Sequence, residues 1–465
     1  MLHRKVREHL ATFLARAEDR GGVPRFVERE MRRFLECGVA AHGFVRVHCG
    51  GCGHDRLVAF SCKGRGFCPS CGGRRMSEGA AHLVDRVLPE LPMRQWVLSL
   101  PFGLRFALAR DHRLLTAVLS VAVRAMLGFQ RTRAIRLLGV TGRCGAVTVV
   151  QRFGSALNMN IHFHSIVLDG VHVEGADGRV RFRVLPAPTA RVGIRLTETI
   201  ARRVRRLLKR KGLLADDESF ESAETPSALD LCQVASLRSV AALGERAGRP
   251  LRKIVLPLPS APDARATHES RGVAGFDLDI GPVVRANDRA RLERLCRYAL
   301  RPPLATERLE ELPDGRLKYG LRNRWRDGTV AVVMEPLEFL ERLAALVPAP
   351  GRHLLRYHGT LAPNSKWRRF IVPKVEERTA EAACVAPPER ERPRSSRIAW
   401  ADLLKRVFAE DVLACPRCNG RMTIIATVTN PAAVRAILEC LGLAARPPPL
   451  SPAQEREQGE FEFGE

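Results

Sequence analysis

Over residues 1–45 charged and apolar positions alternate at helical spacing, and a Gly- and Cys-rich ribbon follows to about residue 77, with LVAF as its strand. QWVLSLP at 95–101 has the character of a strand and stops at Pro101. From Asp111 to Leu138 the run LLTAVLSVAVRAMLGFQRTRAIRLL predicts a helical hairpin or one long, mostly buried helix. GAVTVVQRFG (145–154) and IHFHSIVLDGVHV (161–173) predict two antiparallel strands joined by the polar turn SALNMN. After the Pro-rich break LPAPTA, residues 191–213 form a basic amphipathic helix, and 260–275 are polar and loop-like. NDRARLERLCRYALRPP (287–303) is a helix halted by Pro302 and Pro303, 315–334 a hairpin turning at Asp327-Gly328, and EPLEFLERLAALV a further helix.

These elements predict an α+β protein in four parts. Residues 1–91 hold an N-terminal helix and a metal-binding ribbon, and 92–375 a catalytic domain with helical insertions. Residues 376–398, rich in Glu, Arg, Ala and Pro, are a linker. Residues 399–465 are a small C-terminal region with a polar, disordered tail over its last fifteen residues. No apolar run approaches the ~20 residues of a membrane span. The basic N-terminus lacks the apolar core of a secretory signal, so cytoplasmic residence and reduced cysteines are expected.

Charge narrows the function. Lys and Arg number 76 against 50 Asp and Glu, a formal net charge of +26 spread along the chain, as in RRVRRLLKRK and KWRRF. An Arg-rich composition also follows from a GC-rich genome, but the basic excess does not. Nucleic acid is the favoured partner, with salt-sensitive binding.

The thirteen cysteines sharpen this. Cys49 and Cys52 form one C-x2-C knuckle, and Cys68 and Cys71 form another fifteen residues later. Four thiolates at this spacing match a closed, tetrahedral, structural Zn2+ site. Cys62, His54 and His48 are left over, available to replace a ligand or support a second ion. A lone third knuckle, Cys415 and Cys418, is half a zinc site, to be completed across domains, completed across a dimer, or left vestigial.

His162 and His164 lie on one face of their strand, ~7 Å apart along the backbone. They are either two hydrogen-bonded imidazoles or a pair of neutral ligands for a divalent metal. Two-metal nucleases rely on Asp and Glu clusters, so a histidine pair points instead to metal-assisted attack by a side chain. Tyrosine suits that role, and the chain has three: Tyr298, Tyr319 and Tyr357. Tyr298 shares a helical face with Leu292 and Leu295, Tyr319 is placed for packing, and Tyr357 sits among basic residues as a competitor.

The ribbon HCGGCGHDRLVAFSCKGRGFCPSCGGRRM, the strands GSALNMNIHFHSIVLDGV, RYALRPPLA, YHGTLAPNSKWR and CPRCNGRM occur in order from about residue 45 to 445. Together they resemble a rolling-circle insertion-sequence transposase of the HUH endonuclease superfamily. The resemblance implies an HUH fold with a central antiparallel sheet flanked by helices, and a ribbon that recognises element ends. It implies Mg2+ or Mn2+ on His162 and His164, and Tyr298 as nucleophile. A third ligand is expected from a neighbouring strand, and Gln151 is the candidate; a capping role at the turn is its alternative. Arg297 and Arg301 are candidate phosphate clamps or solvated helix charges. The founding branch carries a second tyrosine four positions earlier, where this chain has Arg294, so it resembles the single-tyrosine "common region" branch. One tyrosine is then reused, or a homodimer supplies another. The implied partners are single-stranded DNA at element ends and target DNA. A plasmid replication initiator or relaxase, and a non-catalytic zinc-containing DNA-binding regulator, are the competing functions.

Overall fold

The computed structural model describes residues 1–213, 226–256, 272–373, 400–408 and 411–454. It is an α+β chain in which every paired strand of the four sheets is antiparallel. The expected linker, most of the 260–275 loop and most of the polar tail lie outside the described residues.

A five-stranded sheet forms the centre, in the order Leu355–Gly359, Gly145–Phe153, Met159–Leu168, Met93–Ser99, Asp277–Val284. Met159–Leu168, the histidine strand, is its middle member and is buried along nearly its whole length. Its continuous apolar character follows from cover on both faces. One face carries Trp96, opposite Ser165, and takes the 27-residue helix His112–Leu138, whose Phe129 meets Trp96 edge-on at 6.1 Å. The long-helix alternative is thus the one adopted. Asp111 caps it by accepting from the backbone N–H groups of Arg113 and Leu114, and left-handed Gly139 ends it. By length and composition this helix is apolar enough to cross a bilayer. Here Leu114, Val118, Ala122, Met126 and others on it are buried in the core.

The expected strand 161–173 breaks at Asp169, which pairs with Arg94 at 2.9 Å. Gly170 then starts a separate strand, Gly170–Glu174, paired with Val180–Val184, because only a residue without Cβ fits against the backbone of Arg183 there. The turn before the histidine strand is less polar than its sequence suggests. Ala156 and Leu157 are buried, and Leu157 holds a left-handed φ of 56°.

The N-terminus forms two helices, Leu2–Glu18 and Arg25–Glu36, the first packed on the buried helix Pro336–Leu346. Beyond them the ribbon strands Phe44–Cys49 and Asp55–Ala59 pair, and Met422–Val428 adds a third strand on the other side of Phe44–Cys49. The C-terminal region, expected as a separate part, is therefore hydrogen-bonded into the ribbon. Its last described residues also return to the N-terminal helix, with Ser451 N–H donating to Arg7 O and Gln454 N–H to Thr12 Oγ1.

Candidate active site and cysteine centres

The register of the central sheet builds one polar row. Directly opposed residues on antiparallel strands share a face. Gln151 lies opposite His162 from one neighbouring strand, and Ser99 lies opposite it from the other. Val149 and Val97 flank His164 in the same way, so the two imidazoles share their face with Gln151, Ser99 and two valines. The imidazole rings are 4.8 Å apart.

Burial strips both histidines of their protons. It pulls His162 down to about 4 and His164 to about 3, helped by neighbouring positive charge from Arg301, so both are neutral at pH 7. His162 Nδ1 lies 2.9 Å from Asn160 O. A carbonyl only accepts, so Nδ1 carries the hydrogen and Nε2 keeps a free lone pair. His164 Nδ1 lies 2.8 Å from the Gln95 amide, and its Nε2 is buried with no partner. Turning the isosteric amide over puts Gln95 Oε1 on Nδ1–H and frees the Nε2 lone pair here too. The Gln151 amide is oriented from the other side. Its Nε2 donates to Ala299 O at 2.6 Å and Tyr298 O at 3.3 Å, leaving Oε1 buried without a partner. These two orphaned acceptors and the free Nε2 of His162 form a donor set that fits a divalent cation.

The helix Arg289–Leu300 crosses this face, and Asp288 caps it by accepting from Arg291 N–H. Tyr298, in its last turn, sets its ring edge-on to His164 at 5.8 Å. Arg301 stacks on the phenol at 4.3 Å while donating to Tyr298 O, and Arg322 lies 5.0 Å from the same ring. Arg301, one of the two expected phosphate contacts, thus lies against Tyr298. Arg297 is half-buried on the same helix, and the second guanidinium on the phenol is that of Arg322. Arg322 and Gln95 were not singled out from sequence; nothing local distinguishes them from other surface arginines and strand glutamines.

The other tyrosines sit elsewhere. Tyr319 is fully buried, and its hydroxyl accepts from Ala305 N–H, as a packing residue does. Tyr357 shares the histidine face but stands opposite Val147, two strands from the histidines, with Arg368 at 5.6 Å. Among the described residues only Tyr298 makes a ring contact with either histidine.

The cysteines correct the expected zinc site. Cys49, Cys52, Cys68 and Cys71 do not form one centre. Cys68 and Cys71 join Cys37 and Cys62, whereas Cys49 and Cys52 join Cys415 and Cys418. Sulfur separations are 3.4–3.6 Å between knuckles in the second cluster and 3.5–4.0 Å in the first. A tetrahedral Zn2+ with ~2.3 Å bonds needs sulfurs ~3.8 Å apart, so both sets fit the ion. The reason for the split is topological. The strands Phe44–Cys49 and Asp55–Ala59 carry the first knuckle toward the C-terminal strand, while Cys68 opens the helix Pro69–Arg86 and faces Arg25–Glu36. The lone knuckle is completed within the chain, and Cys62 is a ligand candidate. Cys37, a single cysteine twelve residues before Cys49, carried no spacing signal. Of the leftover histidines, His48 binds Asp55 at 2.9 Å.

Both regions match known families. Residues 145–368, which include the histidine face and Tyr298, match a family described as "Putative transposase", and residues 5–100 match the IS91-type "Transposase zinc-binding domain". The chain is therefore similar to IS91-type transposases over two stretches. A protein of Sinorhizobium fredii (strain NBRC 101917 / NGR234), described as "Putative transposase y4qJ", is 24% identical over 402 residues, 85% of this chain and 88% of its own length. No solved structure matches. The zinc-binding match covers only part of the cysteine centres. It ends at residue 100, so two of the eight clustered thiols, Cys415 and Cys418, come from far outside it.

Proposed function

We propose that this IS91-type transposase is a single-tyrosine HUH endonuclease that cuts and rejoins single-stranded DNA at element ends during rolling-circle transposition. The observation that carries the reading is the meeting of four groups from three elements: His162, His164 and Gln151 on the sheet face, with Tyr298 against His164. Mg2+ or Mn2+ held by those three side chains would withdraw charge from the scissile phosphate. Tyr298 Oη attacks the phosphorus, the bond to the 3′ oxygen breaks, and a 5′-phosphotyrosine and a free 3′-OH result. The energy of the broken bond is kept in the adduct, so rejoining needs no ATP. Arg301 and Arg322 flank the phenol with donors suited to phosphate oxygens. Gln151 holds the end of the tyrosine helix through the two carbonyls that it binds. The two cysteine centres, filled with Zn2+, are structural, since four thiolates leave no open position. The positive chain would find its substrate on the nucleoid, in the cytoplasm.

The test is a covalent-adduct assay with labelled single-stranded DNA from the element's ends, with Mn2+ or chelator. A metal-dependent band on a denaturing gel, kept in Tyr357→Phe and lost in Tyr298→Phe, is the expected outcome. A band lost only in Tyr357→Phe would move the nucleophile to the neighbouring strand.

A further inference from the structure

A cavity of about 320 Å3 opens at the seam between the cysteine module and the central sheet. Val149, Leu355, Leu346 and Pro302 contribute to its apolar lining, and Ala299 to Pro303, the residues directly after the nucleophile, form one side. Arg65 and Arg75 reach it from the cysteine module and Arg301 from the core, and among the described residues no carboxylate lines it. Arg65 uses part of its guanidinium on Arg352 O, and Arg75 part of its own on Gly64 O and Lys63 O. The Arg152 guanidinium is used elsewhere, donating to Ala109 O at 3.5 Å. The seam is held close by Gly72, where an added Cβ would sit 2.7 Å from Pro302 Cβ.

We propose that this cavity receives one unpaired nucleobase adjoining the scissile phosphate, with Arg65 and Arg75 holding the backbone phosphate at its mouth. This inference rests on the tyrosine-nuclease reading. Three properties select the occupant together. Guanidiniums without carboxylates demand an anionic ligand. Apolar walls suit a planar face, which free phosphate lacks and every base has. The volume is at the low end of the ~300–1,000 Å3 of small-molecule sites, room for a single base rather than a duplex. The cysteine module would then form one wall of the cleavage site, and the enzyme would read the nucleotide beside its cut.

The experiment uses the full chain with its zinc and Tyr298→Phe protein, so that no cleavage intervenes. Single-stranded end DNA carries 2-aminopurine at one position at a time around the cleavage site, and fluorescence is read with the DNA fully bound. One position next to the cut should change several-fold, and Leu355→Trp, which fills the cavity, should abolish that change. With wild-type protein, an abasic residue at that position should slow adduct formation by roughly tenfold, and elsewhere by little. Uniform fluorescence across positions, or a signal that survives Leu355→Trp in protein with an unchanged melting curve, overturns the proposal. If Leu355→Trp does not fold, the exposed Arg65→Glu takes its place and should weaken the signal at the same position only. Adduct formation on intact DNA without a singled-out position sinks the pocket and keeps the nuclease. A singled-out position without any adduct does the reverse.

Discussion

Tyr298 owes its candidacy to a ring contact, and its neighbours define what each substitution should do. Tyr298→Phe removes only the attacking oxygen, so adduct should vanish while DNA binding stays within about twofold of wild type. Gln151→Ala loses a proposed ligand and the amide that binds Tyr298 O and Ala299 O. Cleavage should fall by roughly 10–100-fold and need more Mn2+, as losses around metal ligands do. The histidines also set an acid limit. Unfolded, they titrate near 6.5; folded, near 4 and 3. Between those values the unfolded chain binds protons that the fold refuses, so stability without Mg2+ or Mn2+ should drop as pH falls from about 6.5 toward 4. Urea unfolding of His162→Asn/His164→Asn across that range should show a shallower slope. It should not be flat, because burial also holds His172 and His358 at about 4.

At the scale of elements, the helix Pro69–Arg86 links the first cysteine cluster to the helix that carries Tyr298. It starts at Cys68 and packs on the tyrosine helix, where an added Cβ at Gly79 would come 2.9 Å from Leu300 Cδ1. Arg289 of the tyrosine helix donates to the carbonyls of Val84, Leu88 and Pro89 at its far end. Arg406 clamps the pair, with Asp85 at 2.6 Å on one helix and Glu293 at 2.7 Å on the other. Arg406→Ala should therefore lower the single-turnover cleavage rate several-fold with DNA affinity unchanged, and Arg406→Lys should restore part of it. The two clusters should also separate functionally. Cys71→Ser should cost both melting temperature and cleavage. Cys418→Ser should spare most cleavage of single-stranded substrate but free the C-terminal strand, seen as faster proteolysis after residue 410. Metal analysis should find two zinc ions per wild-type chain and one in Cys418→Ser.

The whole molecule is closed on itself. Cys49 meets Cys418 across 369 residues at 3.4 Å, and strand pairing from Phe44 to Cys49 seals the same junction. Closing so long a loop with a metal restrains the unfolded chain strongly. Chelation should broaden thermal unfolding and expose the ribbon before the central sheet melts. A net charge of +26 acts over the same scale. Single-stranded DNA affinity should fall steeply and linearly in log–log form with added salt. The position dependence of cleavage should change far less, since base contacts in a desolvated cleft are screened little.

Local pattern was enough for most elements, the histidine pair on one strand face, the tyrosine helix ended by two prolines, and the presence of thiolate centres. These follow from periods of two and 3.6 residues, from turn chemistry and from knuckle spacing, all within a few residues of one another. Gln151 opposite His162 was also legible, because a hairpin's register is a local property. Tertiary structure alone decided which knuckles share an ion, that Cys37 completes one centre, and that Arg322 and Gln95 serve the active face. It also set Tyr298 against His164 and left Tyr357 two strands away. Each of those is a meeting of segments tens to hundreds of residues apart, governed by strand order and helix packing, and spacing along the chain carries no measure of it.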